Sequence, residues 1–295
     1  MTLAGPENPL PPADSPAPES SSTIFLPPTP PSPLDLENAR APEDIRTPWG
    51  GAELLIFFGF AIASLVVLEI IIVSYLLARY HMSTDQLTQL MKTNAPFAVG
   101  FQAVWSAVIL LFLLLMIRVY HRAPFWRSLG WRRFDLREIP PAGIAILCVF
   151  GGIALAASVG VVSYFVGNKS ELPIEQLFRT RSDVLWLMVF GIAFAPFFEE
   201  TIFRGYLYPV FARKWGIPTG IIITGILFGG MHAAQLWGGW AQIAILVFVG
   251  IALTWARARA RSVLASYLIH LSYNSILFLA FFAGTQGLKH IPPIH

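Results

Sequence analysis

The chain has 295 residues, 55% of them hydrophobic and only 13% charged, and its mean hydropathy is +0.62. That balance excludes an ordinary soluble domain of this length and points to a polytopic membrane protein, because the apolar residues recur as runs of about 20. A net charge of +3 gives no footing for a nucleic-acid partner, and a single cysteine, Cys148, excludes both an internal disulfide and a cysteine-based zinc site.

Taken in chain order, residues 1–50 stand apart. They hold 13 of the 23 prolines and seven acidic residues against Arg40 and Arg46. This composition predicts a disordered, acidic, Pro-rich tail, with too little apolar surface to offset the entropy of ordering. The stretch "PPTPPSP" at 27–33 could serve as a polyproline ligand, but a flexible tail is the plainer reading. No basic region leads into an early apolar run, so the segment does not read as a signal peptide.

Seven apolar runs follow, at 52–78, 96–117, 140–166, 184–211, 218–236, 239–256 and 262–283. The expectation is an all-α polytopic membrane protein of about seven transmembrane helices. Residues 51–139 hold two spans and a basic loop, 140–283 a core of five, and 284–295 a short tail. The gap "WGG" near 237 reads as either a hairpin or a kink. The loop "RVYHRAPFWRSLGWRRFDLRE" at 118–138 mixes six arginines with Phe125, Trp126, Trp131 and Phe134, which suits an anionic headgroup layer, membrane lipid being the first expected partner. With alternating spans, thirteen Lys and Arg share the side of the amino-terminal tail and six lie opposite. The positive-inside rule then puts the N-terminus in the cytoplasm and the C-terminus on the opposite side.

Ionisable residues within spans cost about 2.5–3.5 kcal/mol each and are functional candidates by default. Glu199, Glu200 and Arg204 lie in the fourth span, His232 in the fifth, and His270 with Asn274 in the seventh. Counted from the cytoplasmic ends at 1.5 Å per residue, they fall in one layer roughly 12–21 Å deep. Glu200 and Arg204, four apart, can pair on one helix face, while Glu199 is rotated about 100° away and is left without that partner. Phe228 and His232 repeat the spacing, as do His270 and Asn274, and Gly225, Gly229 and Gly230 thin the fifth span for close approach by a neighbour. Pro196 removes a backbone hydrogen bond to Ile192 and predicts a kink beside Glu199.

Taken singly, each of these residues has a structural reading: a packing histidine, an interhelical amide, an ion pair holding a helix. In order, however, "EETIFRG" at 199–205, "FGGMH" at 228–232 and "HLSYN" at 270–274 resemble the EExxxR, FxxxH and HxxxN motifs of the CPBP family (CAAX protease and bacteriocin-processing, or abortive-infection, family), which includes CAAX prenyl protease 2. The resemblance covers about 140–283. It implies an intramembrane endopeptidase in which Glu199 is the general base, His232 helps to hold the attacking water, and His270 and Asn274 stabilise the oxyanion. Glu200 and Arg204, with Phe228, would orient the site. The residue types suit this chemistry: a carboxylate among Phe194, Phe197 and Phe198 gains basicity, and an imidazole and an amide can donate to developing charge.

Members of this family were long called metalloproteases, yet the HExxH spacing is absent and Glu200 is engaged by Arg204. The expectation is therefore a glutamate mechanism without cofactor; if zinc were held, His232 and His270 with Glu199 would be its ligands. The expected substrate is a peptide or membrane-anchored protein, prenylated in the closest analogy, cut near the cytoplasmic side. Two other classes use the same residues: a proton-coupled transporter, against which stands the lack of any visible repeat, and a non-catalytic membrane scaffold.

Overall fold

The computed structural model describes Met1 and residues 31–133, 139–166 and 176–289. Among these, every regular element is helical. The first, α1 (Pro33–Arg40), is started by a capping box in which the Asp35 amide donates to Ser32 Oγ and the Ser32 amide donates to the Asp35 carboxylate. The Ser32 hydroxyl and amide together hold the Asp35 carboxyl below its ordinary range. A short 3-10 turn at Glu43–Ile45 follows, and Ile45, Thr47 and Trp49 are buried.

Residues 32–50 therefore do not continue a disordered tail, as the composition suggested. The proline count averages over a helix start and over one large apolar side chain, Trp49, which stacks on Tyr206 at 5.2 Å and donates its indole N–H to the Tyr206 carbonyl at 3.1 Å. The earlier part of the predicted tail, 2–30, and most of the "PPTPPSP" stretch lie outside the described residues.

Helix α2 (Gly51–Tyr80) is followed by α3 (Thr84–Thr93) and by α4 (Ala95–Leu114), which runs on as a π-helical segment, Leu115–Tyr120. The short α5 (Phe125–Ser128) lies in the basic loop, and α6 is Pro141–Val166. The fourth span is segmented: α7 (Arg181–Val189), a π-helical stretch Phe190–Phe194, α8 (Ala195–Glu200), a second π-helical stretch Thr201–Leu207, and α9 (Tyr208–Trp215). Then come α10 (Ile217–Met231), α11 (Trp240–Ala260) and α12 (Val263–Gly284).

Among the described residues, six helices are long and apolar enough to cross a membrane: Gly51–Tyr80, Ala95–Tyr120, Ala142–Phe165, Arg181–Trp215, Trp240–Ala260 and Val263–Gly284. The seventh predicted span is present as α10 but has only 15 residues, about 22 Å and short of a hydrocarbon core of about 30 Å. It was expected to run to 236 and stops at Met231, after the weak helix formers Gly229 and Gly230. The turn that follows makes α10 and α11 an antiparallel hairpin, with Gly225 against Ile251 and Gly229 against Val247. A Cβ at either glycine would collide with that neighbour's backbone, whereas one at Gly230 would meet nothing within 4 Å, so two of the three glycines allow the close approach.

The connections sort to two ends. At one end Arg213 donates to the carbonyls of Ile45 and Trp49 and to Thr47 Oγ1 at 2.6–2.7 Å. Arg257 reaches Asp44 at 3.0 Å, Ser262 donates to the Arg132 carbonyl, and the Val263 amide donates to that of Gly130. The amino-terminal segment and the loops after α4, α9 and α11 thus lie together. At the other end Arg181, opening α7, donates to the Leu288 carbonyl beyond α12.

Candidate active site

The first break in the fourth span falls at Pro196, which has no N–H to donate to Ile192. The helix widens into a π-helical turn before the proline, a feature frequent at functional sites. Side chains of α12 take up the carbonyls this exposes: Asn274 donates its amide to Gly191 at 2.6 Å, and Tyr267 its hydroxyl to Ala193 at 3.5 Å. Within hydrocarbon such neighbours are what makes a broken helix tolerable. The stretch that follows carries Glu199 and Glu200 on α8 and Arg204 on the second π-helical turn.

Glu200 and Arg204 are both fully buried. Arg204 donates from each of its three nitrogens: Nη1 to Glu200 Oε1 at 2.8 Å, Nη2 to the Gly250 carbonyl at 2.9 Å and Nε to Thr254 Oγ1 at 3.2 Å. Its Cζ also lies 4.5 Å from the centre of the Phe228 ring. Thr254 and Gly250, on α11, were not among the residues singled out from sequence; the signal was a hydroxyl and a glycine four apart in an otherwise apolar span.

Glu200 is shared. His270 Nδ1 donates to the same Oε1 at 3.0 Å, which turns the other ring nitrogen, Nε2, towards Glu199 Oε2 at 3.7 Å. That separation is too long for a direct hydrogen bond and is one a water molecule can bridge. Glu199 keeps 18% of its side chain exposed, against 0% for Glu200. The carboxylate left outside the Arg204 pair is therefore also the accessible one, and its partner is an imidazole held from behind.

His232 is the residue after α10 and donates Nδ1–H to the Phe228 carbonyl at 2.9 Å, one of the helix's last unpaired carbonyls. This fixes Nδ1 as the protonated nitrogen and leaves Nε2 to point away. The Phe228 ring lies 5.2 Å from His232 and 5.8 Å from His270, so one buried side chain spaces both imidazoles and the guanidinium. Asn274 is drawn to Gly191 rather than into this cluster, with one of its two amide N–H groups so engaged.

The structure thus brings Glu199, Glu200, Arg204, Phe228, His232 and His270 together and sets Asn274 at the edge. Among the described residues no three His, Cys, Asp or Glu side chains converge as a metal-holding group. The chemistry on offer is that of an accessible carboxylate beside an oriented imidazole in an apolar surround, which can take a proton from water and stabilise a developing charge.

Comparison with known proteins bears on this same segment. A family model described as type II CAAX prenyl endopeptidase, Rce1-like, matches residues 181–276. The chain is also 28% identical over 180 residues to an uncharacterized 24.3 kDa protein of Escherichia coli, the match covering 57% of this chain and 75% of that protein. No solved structure matches.

Proposed function

From the premise that residues 181–276 belong to the CAAX protease family, we propose that the protein hydrolyses a peptide bond within the membrane by glutamate-activated water. The observation that carries this reading is the division of labour between adjacent carboxylates. Glu200 is taken up by Arg204 and His270, and Glu199 is left accessible 3.7 Å from His270 Nε2. Glu199 takes the proton of the attacking water, and His232 and His270 hold that water on either side of Phe228. As the scissile carbonyl becomes tetrahedral, the remaining N–H of Asn274 donates to its oxygen, and His270 Nε2 does so when the ring carries a second proton, the imidazolium being held by Glu200 through Nδ1. Glu199 then returns its proton to the leaving amine.

In this reading Glu199, His232 Nε2 and His270 Nε2 hold water and no metal; if zinc were bound, these three groups would be its ligands. The substrate class is a peptide or membrane-anchored protein, prenylated by analogy with the family, and its bond is cut towards the side that carries residues 41–49. That side is the cytoplasm by the charge asymmetry of the loops.

The test is to expose protein purified in detergent to a peptide library containing prenylated and unprenylated members, and to read the products by mass spectrometry. Endoproteolytic cleavage at a reproducible bond is expected. No cleavage, together with proton flux across reconstituted vesicles, would replace the reading with a transporter.

A further inference from the structure

Outside the site, an open groove of about 760 Å³ is lined by Leu110, Leu111 and Leu114 of α4, by Phe125 and Trp126 of α5 and, at its mouth, by Arg118 and Arg127. The turn between the two arginines reverses the chain through Arg122, at φ 53°, so that both reach one groove. Hydrogen bonds from Ala123 N to the Ile117 carbonyl and from Trp131 N to that of Trp126 knit this wall together.

Three features define the ligand. The apolar floor belongs to the span Ala95–Tyr120 and faces lipid, Leu111 being 54% exposed. Leu110 and Arg118 are eight residues apart, so the floor extends about 12 Å below the cationic mouth. No acidic residue lines the groove, and neither guanidinium has a hydrogen-bond or ion-pair partner among the described residues. An apolar trough topped by two unpaired guanidinium forks matches an acyl chain beneath a phosphate. We propose that this groove binds one anionic glycerophospholipid from the membrane, an acyl chain along Leu110, Leu111 and Leu114 and the phosphate between Arg118 and Arg127. The site is distinct from the Glu199 cluster and stands whether or not that cluster cuts peptides. Its inner wall nevertheless leads there, because the Trp126 ring lies 5.9 Å from that of Phe197, two residues before Glu199.

Delipidated protein in neutral detergent, titrated with phosphatidylglycerol or phosphatidylcholine and examined by native mass spectrometry, tests this directly. Wild type should retain one phosphatidylglycerol about tenfold or more tightly than phosphatidylcholine. Arg118→Gln combined with Arg127→Gln should abolish that difference, and Arg79→Gln with Lys92→Gln, at the other end of the molecule, should keep it. Leu111→Trp, which fills the trough and leaves both charges, should weaken retention of both lipids and serves if the arginine variant does not fold. Equal retention by wild type, or a preference surviving in the Arg118/Arg127 variant, would overturn the proposal. So would stoichiometric displacement of phosphatidylglycerol by a farnesylated peptide, which would assign the groove to substrate.

Discussion

At the scale of single residues the account rests on unequal partners for equal groups. Glu200 and Arg204 are fully buried and 2.8 Å apart, so Glu200→Gln leaves a guanidinium uncompensated. Breaking a buried pair costs about 3–5 kcal/mol, and a large fall in thermal stability is expected along with lost activity. Adding Arg204→Met should recover part of the stability, because Thr254 Oγ1 still donates to the Gly250 carbonyl at 2.7 Å. A double variant no more stable than the single one, by thermal unfolding in detergent, would break the pairing argument. Asn274 has two tasks in this account, its bond to Gly191 and the oxyanion. Asn274→Ala should therefore lower turnover roughly 100-fold with little change in KM, beside a stability loss of about 1 kcal/mol. Prolonged chelation should leave wild-type turnover unchanged; zinc that tracks activity in elemental analysis would assign His232 and His270 to a metal.

At the scale of elements the site depends on how closely α10 lies on α11, since that contact sets Phe228 against Arg204. Gly229→Val would drive a side chain into Val247; overpacking of this kind typically costs about 1–3 kcal/mol, and both melting temperature and activity should fall. Gly230→Ala, one residue on, meets open space and should be silent in both measurements. Equal effects at the two positions would mean that the helix pair is not packed as described. Sequence spacing made the three motifs legible because each repeats at four residues along a helix, and the facing of Glu199 away from Arg204 followed from the same arithmetic. The π-helical turns were not legible in detail. Pro196 announces a break, but which carbonyls are freed, and that Asn274 and Tyr267 answer them, depends on another helix. The end of α10 at Met231 was hidden for a similar reason, as apolar residues continue past the point where the helix stops. Glu69 of α2 is a further ionisable residue within a span, exposed and belonging to none of the three motifs.

At the scale of the whole molecule, hydropathy made the class legible, while composition hid the ordered elements of residues 32–50 at the amino-terminal side. Thirteen prolines in fifty residues masked the segment that seats Trp49 against Tyr206 and Asp44 against Arg257. Those contacts tie residues 41–49 to the ends of α9 and α11, and the proposed orientation of the spans can be tested at both termini. Tags on the N- and C-terminus in sealed vesicles of known sidedness should be digested from opposite faces, the N-terminal one from the cytoplasmic face. Digestion of both from one face would require an even number of crossings. The central claim, that Glu199 and no other group activates the water, is tested most directly by comparing Glu199→Gln with wild type in single-turnover cleavage of a peptide that wild type cuts. Glutamine keeps the shape of the side chain and part of its hydrogen bonding but cannot take the proton. The account predicts cleavage reduced by at least about 10³-fold at an unchanged melting temperature; a rate within tenfold of wild type would contradict it.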